Sequence, residues 1–144
     1  MSDQAIGIAV DHGGFPLKQA VIEEIRAANL DVLDLGTDNE ESVDYPDFAD
    51  KLVNAMKAGQ VSRGVLICGT GIGISIAANR HPGIRAALCC DEQTAALSRQ
   101  HNDANVICFA GRTTGEVKAR NLVRIFLETE FEGGRHARRV GKLG

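Results

Sequence analysis

Aromatic residues are scarce in this chain of 144 residues, which has no Trp, one Tyr and an aromatic content of 4%. The 44% of hydrophobic residues are enough for a core, so we expect that core to be aliphatic. A flavin-binding, flavodoxin-like redox protein is disfavoured, because the chain offers almost no rings to stack on a flavin.

Several other features are absent. Net charge is −3 and basic residues cluster only near the C-terminus, which argues against a general nucleic-acid surface. No apolar run approaches the roughly 20 residues that span a membrane, and Met1–Gln4 lacks the basic start of a signal peptide. Cys68, Cys89, Cys90 and Cys108 show no CxxC spacing, so we predict reduced thiols without a metal. We therefore expect a cytoplasmic protein with no membrane or nucleic-acid partner.

Apolar runs alternate with helical patterns along the whole chain. Strands are predicted over 5–10, 32–35, 84–89 and 105–110, with a further strand that ends at Cys68; helices are predicted over 15–29, 46–57, 91–100 and 114–130. This alternation predicts an α/β fold: a three-layer α/β/α, Rossmann-like arrangement around a five-stranded parallel sheet. The length suits one domain, 1–144, with a basic tail over 132–144.

Ligands of such sheets bind at the carboxyl ends of the strands, near the point where the strand order reverses. The residues that follow the predicted strands are mostly polar or reactive. They are Asp11-His12-Gly13-Gly14, Gly36-Thr37-Asp38, Cys68-Gly69-Thr70, Cys90-Asp91 and Gly111-Arg112.

The stretch Cys68-Gly69-Thr70-Gly71-Ile72-Gly73-Ile74-Ser75 reads as a strand end and a glycine-rich turn, followed by a helix from about Ile76. Such a turn aims N–H groups at an anion, and a thiol beside a helix N-terminus can act as base or nucleophile. Its spacing is neither the dinucleotide fingerprint nor a P-loop. Taken alone, it is equally compatible with a tight structural turn around a buried thiol.

Six motifs together resemble type B ribose-5-phosphate isomerase and its relatives, the allose-6-phosphate and galactose-6-phosphate isomerases. They are Asp11–Gly14, Asp44-Tyr45-Pro46, Cys68–Asn79, Ser98–Asn102, Gly111-Arg112 and Gly133–Val140. They follow the family's order over nearly the whole chain. The resemblance implies reversible isomerisation of D-ribose 5-phosphate and D-ribulose 5-phosphate through an enediolate. It also implies no metal or organic cofactor, and a homodimer, possibly a dimer of dimers, with active sites shared between subunits.

The resemblance further implies a role for each matching residue. Cys68 is the proton-transfer base, Thr70 passes a proton between O1 and O2, and His101 opens the sugar ring with help from Asp11. Substrate binding is assigned to His12, Tyr45, Gly69, Gly71, Gly73, Ser75, Asn102, Arg112, Arg135 and Arg139. The last two are four residues apart, so a helical turn from Gly134 onward puts them on one face and turns Arg138 away.

Structural roles compete with these assignments. Cys89, Cys90 and Asp91 are alternative bases, although we expect Asp91 to cap the following helix. Thr70 is otherwise a turn hydroxyl, His101 a helix-end residue, Asp44 and Tyr45 a turn, and the tail a solvated basic end. Two other functions remain open: an isomerase of a six-carbon sugar phosphate such as D-allose 6-phosphate, and a sugar-phosphate sensor without catalysis. Cys68 favours the ribose-5-phosphate branch, and intact Cys68, Thr70 and His101 argue against a sensor.

Overall fold

The computed structural model describes residues 5–144; residues 1–4, which bear on the prediction about a signal peptide, lie outside that range. The strands are β1 (Ala5–Val10), β2 (Asp31–Asp34), β3 (Arg63–Cys68), β4 (Ala86–Leu88) and β5 (Val106–Ala110). The helices are α1 (Phe15–Ala27), α2 (Tyr45–Lys57), α3 (Ile72–Asn79), α4 (Glu92–Gln100), α5 (Glu116–Glu128) and α6 (Arg135–Gly141). None of the helices within 5–144 is both long and apolar enough to cross a bilayer.

The five strands form one parallel sheet in the order β2-β1-β3-β5-β4. Its two faces carry separate hydrophobic clusters, because successive strand residues point to opposite sides. Ile6, Ile8 and Val10 pack with α1, α4 and α5, whereas Ala9 packs with α2 and α3. The predicted three-layer fold is confirmed.

The predicted fourth strand, 84–89, is too long. Only Ala86–Leu88 is strand, at the edge of the sheet beside β5. On its outer side, the Asn79 amide donates to Ala86 O at 2.9 Å, and Ala86 N donates to Asn79 Oδ1 at 2.8 Å. A side chain therefore makes the hydrogen bonds that a further strand would make at this edge.

The glycine-rich turn is shorter than predicted, since α3 begins at Ile72 rather than near Ile76. The turn itself is limited to 69–71, where Gly71 adopts φ +76° as the N-cap. Smaller differences occur at other helix ends. α1 stops before Asn29, which has φ +61°, and α5 starts only after Gly115, which has φ +78°.

The strand order reverses between β1 and β3, because the chain places β2 on one side of β1 and β3 on the other. Asp11 and Cys68 lie at the carboxyl ends of these two strands. Clefts at such switch points are where open α/β sheets bind ligands. The fold therefore brings the first and third predicted motifs together.

Candidate active site

Cys68 is the last residue of β3 and is 4% exposed. The N–H of Gly71 donates a hydrogen bond to its sulfur at 3.2 Å. The N-terminus of α3 begins at the next residue, so its positive dipole end lies beside the sulfur. This arrangement favours an anion bound above the turn.

Three loops meet around Cys68 with no room for side chains at their glycines. A Cβ on Gly13 would lie 2.8 Å from Gly69 N, and one on Gly111 would collide with Gly13 O. Gly111 N also donates to Cys68 O at 2.8 Å. The loops after β1, β3 and β5 thus form one continuous backbone surface.

Two cationic or potentially cationic side chains border this surface. The guanidinium of Arg112 lies over Gly69, where its Cζ would be 3.1 Å from an added Cβ. His12 accepts a hydrogen bond at Nδ1 from Val43 N, at 3.1 Å. A neutral His12 with this bond carries its proton on Nε2, which makes Nε2 a donor for an anion.

Tyr45 covers the other side of the turn. A Cβ on Gly73 would lie 2.6 Å from Tyr45 Cζ, so the phenol ring rests directly on α3. Tyr45 is 40% exposed and is the first residue of α2, while Asp44 is the N-cap and makes no side-chain capping bond. Tyr45 therefore lies beside the N-terminal turn of α3, and the prediction that Asp44 and Tyr45 border the sugar stays a prediction.

The remaining polar groups of this end are held by local hydrogen bonds. Asp11 is buried, and its Oδ1 accepts from Gly13 N at 2.9 Å and Gly14 N at 3.0 Å. Thr70 Oγ1 accepts from Ile72 N at 3.2 Å, which is the turn-hydroxyl arrangement and leaves its own proton to donate. Ser75 donates its N–H to Gly71 O and its hydroxyl to Ile72 O, so both groups are directed into α3.

The competing bases are less suited to proton transfer. Burial raises the pKa of the Cys89 thiol to about 11, and burial also raises the pKa of Cys108 well above its usual range. Asp91 forms a capping box with Thr94, whose N–H and hydroxyl hold the pKa of that carboxyl below its ordinary value. The capping prediction for Asp91 is confirmed. Cys90 is exposed, but it follows β4, which β5 separates from β3.

The other half of the predicted site lies at the opposite end of the sheet. His101 ends α4, just before the chain enters β5 at Val106. Cys68 pairs with Ala110, the last residue of β5, which lies about 13 Å along the strand from Val106. α5 runs from the carboxyl end of the sheet back to its amino end. The tail that follows α5 therefore also lies at the amino end of the sheet. Asn102 lines a cleft of about 350 Å³ there, together with Val140 of α6.

Arg135 and Arg139 are exposed on α6, and so is Arg138. The helix confirms the conditional prediction of a helical turn after Gly134. The structure therefore divides the predicted residues into two groups. Those near the turn are Asp11, His12, Tyr45, Cys68, Gly69, Thr70, Gly71, Gly73, Ser75 and Arg112, whereas His101, Asn102, Arg135 and Arg139 lie at the amino end.

A family model described as Ribose/Galactose Isomerase matches residues 6–143. The chain belongs to this family. It is 49% identical over 139 residues to a Mycoplasma pneumoniae protein described as a probable ribose-5-phosphate isomerase B, covering 96% of this chain and 91% of that relative. It is 45% identical over 135 residues to ribose-5-phosphate isomerase B of Escherichia coli, covering 94% and 91%.

Solved structures agree with the family. Ribose-5-phosphate isomerase B of Clostridium thermocellum is 51% identical, with a TM-score of 0.94 and coverage of 97% of this chain and 95% of that one. The type B enzyme of Trypanosoma brucei is 43% identical, also with a TM-score of 0.94, and coverage of 98% and 97%. The prediction that the chain is an isomerase of this family is confirmed.

Sequence reasoning missed one residue that holds the site of this isomerase together. Lys18 is buried, and its Nζ donates to Thr37 O at 2.6 Å and pairs with Asp34 at 3.1 Å and Asp38 at 3.2 Å. It anchors the loop that leads to Val43 and Tyr45. A signal was present, because Lys18 falls in the apolar stripe of α1 beside Val21, Ile22 and Ile25.

Proposed function

We propose that the protein interconverts D-ribose 5-phosphate and D-ribulose 5-phosphate by aldose–ketose isomerisation through an enediolate. The observation that carries the proposal is the Cys68 sulfur, which accepts a hydrogen bond from Gly71 beside the N-terminus of α3. The names of the relatives from E. coli and C. thermocellum support the choice of sugar phosphate.

In the proton-transfer step, the Cys68 thiolate removes the proton from C2 of the open-chain aldose. The electron pair forms the C1=C2 double bond, and the aldehyde oxygen O1 becomes an oxyanion. The thiol then returns the proton to C1, while a proton moves from O2 to O1 and C2 becomes the ketone. The free proton of Thr70 suits the transfer between the two oxygens, because its oxygen is already held by Ile72 N.

The enediolate needs donors for its negative oxygen. The turn and the first N–H groups of α3 provide them, because the first N–H groups of a helix have no partner within it. Gly69 and Gly73 are the best placed, since Gly71 N is used by Cys68 and Ser75 N by Gly71 O. One donor of this kind typically contributes about 10²–10³ in rate.

The phosphate requires cations, and Arg112 and His12 border the same surface. Arginine suits a phosphate because it donates two parallel hydrogen bonds. Arg135 and Arg139 on α6 supply the remaining positive charge in our proposal. Substrate ring opening falls to His101, with Asn102 orienting the sugar hydroxyls and Asp11 assisting from the Cys68 side.

We propose that these two groups of residues meet across a homodimer. In one chain they lie at opposite ends of β5, so a single subunit has an incomplete site. Ile72, Ile76 and Leu88 are 52%, 55% and 45% exposed, and Leu88 lies against Gly71 of the turn. An apolar patch beside an incomplete site suits a second copy, whose amino end then supplies His101 and α6. Further pairing into a dimer of dimers is compatible with this arrangement.

In this proposal, residues 1–144 act as one sugar-phosphate isomerase domain whose tail completes the site of the partner. We expect it to work in the cytoplasm, since all four cysteines are free thiols. The chemistry described uses only side chains and backbone groups of the protein.

A coupled assay tests the function. The protein is assayed with ribose 5-phosphate and with allose 6-phosphate, each with and without EDTA. We expect a much higher kcat/KM for ribose 5-phosphate and no effect of EDTA. A preference for allose 6-phosphate would transfer the protein to the six-carbon branch, and no turnover of either sugar would favour the sensor.

A further inference from the structure

His136 is the buried residue with an unexplained polar atom. It is 7% exposed, and within residues 5–144 its Nε2 is the one buried side-chain nitrogen or oxygen without a hydrogen-bond partner. Native proteins rarely leave such an atom unpaired, because its desolvation is then uncompensated. A histidine at this position therefore calls for a reason beyond packing.

The ring of His136 is stacked on His101. The ring centroids are 4.1 Å apart and the planes differ by 9°. Glu132 sits at the edge of both rings, with its Oε1 3.8 Å from His101 Nε2 and 3.6 Å from His136 Nε2. The side chain of His101 remains 40% exposed, so one face is covered and the other is open to a ligand.

The surroundings of His136 disfavour protonation of its ring. Burial lowers its pKa, and so do His101 from the end of α4 and Arg135 and Arg139 from its own helix. Only Glu132, from the segment between α5 and α6, acts in the opposite direction. A neutral ring can lie against His101 whether or not His101 is protonated, whereas two stacked imidazolium ions would repel each other strongly.

These three side chains also have the composition of a metal site, since their ligand atoms all lie within 4.8 Å of one another. The stacking argues against that function. The lone pair of an imidazole nitrogen lies in the plane of its ring, so two parallel rings cannot both direct a lone pair at one ion. A metal would require the stack to be broken.

We propose that His136 is a positioning residue for sugar-ring opening: its stacked ring fixes the orientation of the His101 imidazole toward the substrate. This inference rests on the proposed function and extends it, because it explains how an exposed side chain at a helix end is held for acid–base chemistry. A displacement of about 1 Å at a catalytic group can cost about 10²-fold in rate. His136 itself touches neither the sugar nor the phosphate in this account.

The test compares His136→Ala, which removes the stacked ring, with His136→Phe, which keeps a flat ring and has no ionisable group. Arg138→Ala is the matched control on the same helix. Each protein is assayed with ribose 5-phosphate and with its 4-deoxy analogue, which lacks the hydroxyl needed to close the ring and is always open-chain. If the parent does not accept the analogue, the forward rate is measured at excess enzyme. A protein that cannot open the ring then reaches a plateau set by spontaneous opening.

We expect His136→Ala to lower kcat for ribose 5-phosphate by about 10- to 100-fold and to leave the analogue within about twofold of the parent. KM should stay within about threefold, because a merely collapsed α6 would displace Arg135 and Arg139 and raise KM. His136→Phe should recover most of kcat, and Arg138→Ala should match the parent. In the plateau assay, only His136→Ala should become limited by spontaneous opening.

Equal losses on both substrates, no plateau, or a His136→Phe protein as poor as His136→Ala would overturn the positioning role. A KM that rises with kcat unchanged would also overturn it. These results differ from a failure of the proposed function, in which the unaltered protein itself turns over neither substrate.

Discussion

Cys68 and His101 stand at opposite ends of the same sheet, with the length of β5 between them. If both act on one substrate molecule, they must come from different subunits. We predict that mixing Cys68→Ala with His101→Asn protein, each inactive alone, restores partial activity after subunit exchange. The recovered activity is measured with ribose 5-phosphate.

Each mixed dimer is expected to regain one of its two sites, because one site then contains both substitutions and the other contains neither. Exchange is verified separately with differently tagged subunits. A mixture that stays inactive although exchange is proven would place both residues in one chain and contradict the composite site.

Gly73 offers a test that separates substrate binding from folding. We predict that Gly73→Ala keeps or raises Tm, since alanine favours a helix over glycine by about 1 kcal/mol. The added Cβ would lie 2.6 Å from Cζ of Tyr45, so the ring of Tyr45 has to move away. KM should therefore rise by about tenfold, a loss of about 1.4 kcal/mol in binding. Gly141→Ala is the control, because it adds a Cβ to a helix in open space; an unchanged KM for Gly73→Ala would remove Tyr45 from the site.

Much of this arrangement could be predicted from the sequence, for identifiable reasons. Hydrophobic runs predict the parallel sheet, and such a sheet gathers the residues that follow its strands at one edge, where Asp11 and Cys68 lie. The predicted start of α3 is too late, because Gly73 resembles a turn residue in the sequence, whereas in the structure it lies inside α3 and leaves room for the ring of Tyr45.

Other features depend on contacts that no local pattern reveals. The His101–His136 stack joins residues 35 positions apart through the path of α5 and the tail. Lys18 was recognisable only as a charged residue in an apolar stripe, and its partners come from β2 and the loop after it. Such pairings depend on how elements pack, which the periodicity of each element alone does not determine.

The tail predicts a pattern in phosphate binding. Arg135→Ala and Arg139→Ala should each raise KM by about 10- to 100-fold, because each loses a charge-assisted bond worth about 1.5–3 kcal/mol. Arg138→Ala should have less effect, because at about 100° per residue it lies about 100° around the helix from Arg139, whereas Arg135 and Arg139 are only about 40° apart. Inorganic phosphate should inhibit the parent competitively and the double variant much less. An Arg138→Ala protein as impaired as the others would contradict the one-face arrangement.

The raised pKa of Cys89 predicts how the free energy of unfolding depends on pH. Burial raises its pKa from 9.0 to about 11, so the folded state holds the thiol proton more tightly than the unfolded state. The contribution of this thiol to the free energy of unfolding is fully present below pH 9. It falls by about 2 kcal/mol as the pH rises toward 11. Cys108 acts in the same direction. Denaturant unfolding at pH 8 to 11 should show a shallower decline for Cys89→Ala than for the parent, with Cys90→Ala, at an exposed thiol, following the parent; equal slopes would exclude this contribution of Cys89.

The role of Cys68 as the proton-transfer base is tested most directly by exchange of the substrate C2 proton with solvent. The parent, Cys68→Ala and Cys90→Ala are incubated with ribose 5-phosphate in D2O, and turnover and deuterium incorporation are followed by NMR. We predict that Cys68→Ala loses both by at least about 10²-fold, as expected for removal of a base, while its fold and phosphate binding persist. Cys90→Ala should behave as the parent. Near-normal turnover and deuterium incorporation in Cys68→Ala would contradict the account and assign the base to another residue.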